Sequence, residues 1–139
     1  MKINLLCIGK TDDKEIKNLI NYYLTRLPRH WNFEITEIPD VKNARNLTPD
    51  LLKKEEAKLF LNIIENTDLV VLLDEKGKQF TSREFAQKLD SYQNNSIKKI
   101  CFLVGGAYGF SEEMYQRANE KISISKIICF ILKSSESPP

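Results

Sequence analysis

Three short apolar runs limit what this chain can fold into. They span residues 3–8, 69–73 and 100–104, and none carries a charge. Such runs are too short for buried helices and fit strands covered on both faces. Gly9 follows the first and Gly105-Gly106 the third, so each of these ends in a turn. Residues 31–38 (WNFEITEI) alternate apolar and polar, which predicts a further strand ended by Pro39-Asp40.

Helical spacing fills the gaps. Ile16, Leu19, Ile20, Tyr23, Leu24 and Leu27 share one helical stripe behind a cap at Asp12 or Asp13, and Pro28 stops the run. Residues 40–48 are polar and breaker-rich, a loop. Thr48-Pro49-Asp50 then opens a second helix with a cap, a proline at the first helical position and an acid in the first turn. Leu51, Leu52, Glu55, Leu59, Ile63 and Ile64 fit it. Gly77 marks a turn. Thr81 or Ser82 caps a third helix with Phe85, Leu89 and Tyr92 on one face, and Ser111-Glu112-Glu113 starts a short helix near Met114. Residues 122–132 read as strand-like, and the tail KSSESPP as disordered. Strand and helix alternate throughout, which predicts an α/β layered fold with a largely parallel sheet.

A chain of 139 residues supports one domain with a proper core. Its 42% apolar and 29% charged content excludes a wholly disordered protein. No apolar run approaches the ~18–20 residues of a membrane span. The opening MKINLLCIGKTDDK lacks the features of a signal peptide, so a cytoplasmic location is expected. The formal charge of +2 is too small to announce a nucleic-acid binder and excludes a strongly acidic protein. Cys7, Cys101 and Cys129 all lie in apolar runs without a CxxC pair and read as buried, reduced thiols. The single histidine, His30, has no ligand-spaced neighbour, so no metal site is expected.

In open α/β sheets ligands bind beyond the carboxyl ends of the strands. Two strand ends here carry suitable chemistry, Leu73-Asp74-Glu75-Lys76-Gly77 and Val104-Gly105-Gly106-Ala107-Tyr108-Gly109. Paired glycines let a backbone approach a ligand closely, although a tight turn needs them equally. The pattern is not GxGxxG and no Walker lysine follows, which argues against a phosphate loop. Asp74/Glu75 and Glu112/Glu113 read as solvated charges in a turn and a first helical turn. Ser123 and Ser125 have no nearby histidine, and a hydrolase triad would need His30, which sits in a surface-like PRHW segment. A small hydrolase or nucleotide binder is thus poorly supported.

Taken together, MKINLLCIGK, YYLTRLPRHWNFEITEIPD, KKEEAKLFLNII, LLDEKGKQFTSREFAQKL, FLVGGAYGF and KISISK resemble the RlmH family, the small bacterial SPOUT-class methyltransferases of large-subunit ribosomal RNA. The resemblance covers residues 1 to about 126, one expected domain. It implies a C-terminal trefoil knot, a homodimer, S-adenosylmethionine as cofactor, and methylation of N3 of a pseudouridine in 23S rRNA of the assembled ribosome. It also implies that Leu73, Gly105 and the loop beginning Ile124-Ser125-Lys126 line the cofactor pocket. The shape of the ribosome then supplies recognition that a weak net charge does not. Arg26 and Arg29 can meet rRNA phosphates, and a solvated helix face explains them about as well.

Beyond Lys126 the chain departs from the family, which continues with a His-Gln segment, an Arg and a long amphipathic helix. Residues 127–139 read IICFILKSSESPP instead. Codons for residues 129–136, read two bases later, can give Leu-His-Ser-Gln-Ile-Ile-Arg, so a changed reading frame is one explanation and a short form is another. No residue here inherits the catalytic roles of that helix. The expectation is an incomplete knot, poor dimerisation and little methyl transfer, with a non-catalytic RNA-binding remnant as the alternative reading.

Overall fold

The expected alternation is realised as a parallel sheet with helices on both faces. A computed structural model describes residues 1–8, 32–79, 82–105 and 108–123. Strand β1 spans Lys2–Ile8 and β2 spans Asn32–Ile38. A 3-10 turn at Ala44–Asn46 leads to helix α1, Pro49–Ile63. Then follow β3 (Leu69–Lys78), α2 (Ser82–Asn94), β4 (Lys99–Val104), α3 (Glu112–Arg117) and β5 (Glu120–Ile122). The helix expected over residues 16–27, with Arg26, Arg29 and His30, lies outside the described residues. So do Cys129, Ile124, Ser125, Lys126 and the whole of residues 127–139.

The five strands run in the order β2-β1-β4-β3-β5, and every pairing is parallel. Strand period sorts the apolar side chains onto two faces. Ile3, Val71, Leu73, Ile100, Phe102 and Ile122 point to one face and pack with Phe85 and Leu89 of α2. Leu6, Val70, Leu72, Cys101 and Leu103 point to the other, against Ala57 and Phe60 of α1 and Met114 of α3. The connection through α2 moves one strand back across the sheet. The connections through α1 and α3, on the opposite face, move forward, as a single handedness of crossover demands.

Local chemistry sets the helix starts. Thr48 is extended, its side-chain oxygen accepts the Leu51 N–H at 3.3 Å, and Pro49 follows. Ser111 caps α3 in the same way, accepting from Met114 N at 3.4 Å. Two details depart from the sequence reading. The buried stripe of α1 is Glu56, Ala57 and Phe60, while Leu51 and Ile63 are exposed. Strand β3 also runs past Leu73 to Lys78, because both Leu73 and Lys78 pair with Ile122 across an irregularity. Gly77 is therefore no simple turn. A Cβ there would lie 2.6–2.8 Å from the Ile122 backbone, so only glycine permits this approach.

The amino end of the sheet is locked by polar contacts. Asp68 is buried, and its Oδ2 accepts from Glu65 N at 3.0 Å and from the Cys101 thiol at 3.6 Å, with Lys99 Nζ at 3.6 Å. Arg117 donates to the carbonyls of Glu65 and Asp68, at 2.9 and 3.0 Å. Asn119 brackets Val70, accepting its N–H at 2.8 Å and donating to its carbonyl at 2.8 Å. Cys101 is the buried thiol expected, whereas Cys7 is only half-buried.

Candidate functional site

Strand register brings the singled-out carboxyl ends together. Leu73 pairs with Val104 on one side, so Gly105 is one residue beyond its partner. On the other side Leu73 pairs with Ile122, two residues before Ile124. Leu73 itself is 3% exposed and its side chain belongs to the α2-facing core. Only its backbone can serve a ligand. Ile124, Ser125 and Lys126 lie outside the described residues.

Gly105 sits in a tight cradle. A Cβ built on it would stand 3.2 Å from the Gly109 carbonyl oxygen and 3.2 Å from Phe110 Cζ. The chain can turn back this closely because Gly109 takes φ +82°, a left-handed conformation that glycine adopts without strain. Phe110 is buried, 6.1 Å from the Phe60 ring and edge-on to Tyr115 at 6.3 Å. Tyr108, by contrast, is 56% exposed beside the same loop.

The polar groups at this edge differ from the sequence reading in one respect. Asp74 is half-buried, and its Oδ2 accepts the hydroxyl proton of Tyr115. It is therefore no freely solvated turn charge. Burial, the hydrogen bond to Asp74 and the charges of Asp74 and Glu112 push the Tyr115 phenol up to about 12. The phenol thus stays protonated and donates at neutral pH. Lys121 Nζ lies 5.1 Å from the centre of the Tyr115 ring. Glu112 and Glu113 are exposed in the first turn of α3, as expected. Sequence reasoning missed Tyr115, since forty-one residues separate it from Asp74 and no local pattern links them.

A second tyrosine–carboxylate pair lies on the opposite face. The Tyr92 hydroxyl donates to Glu120, which also pairs with Lys88, and so ties α2 to β5. Burial and Glu120 hold the Tyr92 phenol far above its ordinary range. A groove of about 530 Å³ opens separately, beyond β2, lined by Pro39, Val41, Leu47, Leu51 and Leu59. Lys58 and Glu55 on its rim neutralise each other at 2.9 Å. Among the described residues no group of three or more His, Cys, Asp or Glu could hold a metal ion, and no helix is long and apolar enough to cross a membrane.

The residues at the carboxyl edge fit the donor implied by the resemblance. A glycine cradle offers backbone groups at close range, Phe110 supplies apolar surface beneath it, and Asp74 supplies an anion suited to a cationic ligand.

Comparison with known proteins gives the lineage. The family model described as "Predicted SPOUT methyltransferase" matches residues 1–130. A protein of Christiangramia forsetii named "Ribosomal RNA large subunit methyltransferase H" is 48% identical over 127 residues, covering 91% of this chain and 81% of that protein. Proteins of the same name from Cytophaga hutchinsonii and Parabacteroides distasonis are each 46% identical, with the same coverage. With an all-parallel sheet between helices and this match across nearly its whole length, the chain belongs to the SPOUT methyltransferases and, among them, to the RlmH family.

Proposed function

We propose that this protein transfers a methyl group from S-adenosylmethionine to N3 of a pseudouridine in 23S rRNA of the assembled ribosome. The name shared by its relatives supports the rRNA substrate and the reaction type. One observation supports this location of the site: Leu73 pairs with both Val104 and Ile122, so the strand ends next to Gly105 and at Ile122 lie side by side with Leu73. In this reading the backbone at Leu73 and Gly105, with the loop from Ile124 through Ser125 to Lys126, holds the donor. Residues 1–126 act as one domain that meets ribosomes in the cytoplasm. The homodimer and closed C-terminal knot belong to the family, and this chain, which departs from it over residues 127–139, dimerises poorly and transfers methyl groups weakly.

Bound there, S-adenosylmethionine supplies an electrophilic methyl group on a sulfonium centre. The protein's own task is mainly orientation. The target nitrogen must be brought in line with the sulfur–methyl bond and must lose its proton, and a fixed backbone cradle serves the first need. The Gly105 position admits the close approach this requires. Phe110 beneath it excludes water from one side.

Ribosomes lacking the modification provide the test. They are incubated with labelled donor and either this chain or a form extended with the C-terminal region of the Christiangramia forsetii relative. They should take up label at the pseudouridine of 23S rRNA, weakly with this chain and more strongly with the extended form. Absence of label with both forms, on ribosomes that the relative itself methylates, overturns the proposal.

A further inference from the structure

Building on the donor reading above, we propose that Asp74, aimed by the Tyr115 hydroxyl, is the anion by which the cleft prefers the cationic methyl donor to its neutral thioether by-product. The argument rests on a continuous set of contacts. Asp74 directly follows Leu73, at the point where β3 leaves its pairing with β4 and begins the excursion that returns to Ile122 at Lys78. Its carboxylate accepts from Tyr115. The Tyr115 ring is edge-on to Phe110, and Phe110 closes the cradle under Gly105. One unit of packing thus connects the ends of both central strands.

The chemistry favours a discriminating role. The donor carries a fixed positive charge at sulfur, and transfer of the methyl group abolishes it. A carboxylate in a half-buried site feels that difference more strongly than one in bulk water. Tyr115 holds the carboxylate in one orientation, so little ordering is left to occur on binding. Tyr115 is a positioning residue in this scheme, acting only through Asp74. A preference of this kind also speeds release of the spent by-product.

Calorimetric titration of the full chain with S-adenosylmethionine and with S-adenosylhomocysteine tests the proposal. Asp74→Asn should weaken binding of the first about tenfold and of the second less than about twofold, since it removes charge while keeping shape. Tyr115→Phe should shift the same ratio about threefold. Tyr92→Phe, which breaks the equivalent pair on the far face, should leave the ratio unchanged. A purely structural role for Asp74 and Tyr115 would weaken both ligands in parallel, and that result overturns this inference alone. Unchanged affinities in both variants do the same. If neither the unaltered protein nor the form extended with the relative's C-terminal region binds either ligand, the donor reading fails and this inference falls with it.

Discussion

Two glycines at neighbouring strand ends face different neighbours, and that difference sets different expectations for them. At Gly77 the obstacle is backbone: an added methyl group would overlap the N, Cα and C of Ile122 at 2.6–2.8 Å. Backbone in a paired strand cannot yield without breaking the ladder, so Gly77→Ala should cost about 2–3 kcal/mol, at the upper end for overpacking. A urea midpoint within error of the parent protein would contradict this. At Gly105 half of the obstacle is the Phe110 ring, at 3.2 Å, which can give by a few tenths of an ångström. Gly105→Ala should therefore lose only about 1 kcal/mol of stability. Its larger effect should fall on the proposed site, with donor affinity reduced about tenfold in a titration. Loss of stability without loss of donor affinity would place the ligand elsewhere.

Helix ends offer the next set of expectations. Thr48 supplies a side-chain cap to α1 through Leu51, and Thr48→Ala should lower stability by about 1 kcal/mol. After α2 the chain turns at Ser96 with φ +65°, where the Ile97 N–H reaches back to the Tyr92 carbonyl at 3.0 Å. Serine is strained in that left-handed position and glycine is not, so Ser96→Gly should raise stability by about 0.5–1 kcal/mol. Thermal melts of the two variants should move in opposite directions. At this scale much was legible from the sequence. The uninterrupted runs at 69–73 and 100–104 gave central strands because burial on both faces leaves no room for polar positions. The Thr-Pro-Asp start of α1 was legible because capping is local. Other features were not, and they share one cause. The buried position of Glu56, the exposure of Leu51, the extension of β3 to Lys78 and the Asp74–Tyr115 hydrogen bond all depend on partners distant in sequence. Placing Leu73 beside Gly105 came from resemblance together with the general rule for strand ends, and register shows them one residue out of step on adjacent strands.

Across the whole molecule the two ends of the sheet divide the work. The carboxyl end holds glycine bends and a half-buried carboxylate, while the amino end is closed by Asp68, Lys99, Cys101, Arg117 and Asn119. That lock makes overall stability sensitive to alkaline pH. Burial, followed by the Asp68 charge, pushes the Cys101 thiol from 9.0 up to about 11, against the smaller opposing effects of Lys99 and Arg117. The folded state therefore favours the neutral thiol. Its contribution is complete below pH 9, where both states are protonated, and it is lost between pH 9 and 11 as the unfolded thiol ionises first. Two units correspond to about 2–3 kcal/mol at the limit. Tyr115, pushed from 10.0 to about 12 by burial and Asp74, acts in the same sense one unit higher. Stability measured by urea unfolding should thus fall as pH rises from 9 to 10, before the tyrosine contributes. Cys101→Ala leaves a small cavity and lowers stability at neutral pH, but it removes the ionising group, so its decline over that interval should be shallower. An equally steep decline in the variant would assign the alkaline sensitivity to groups outside the amino-end lock.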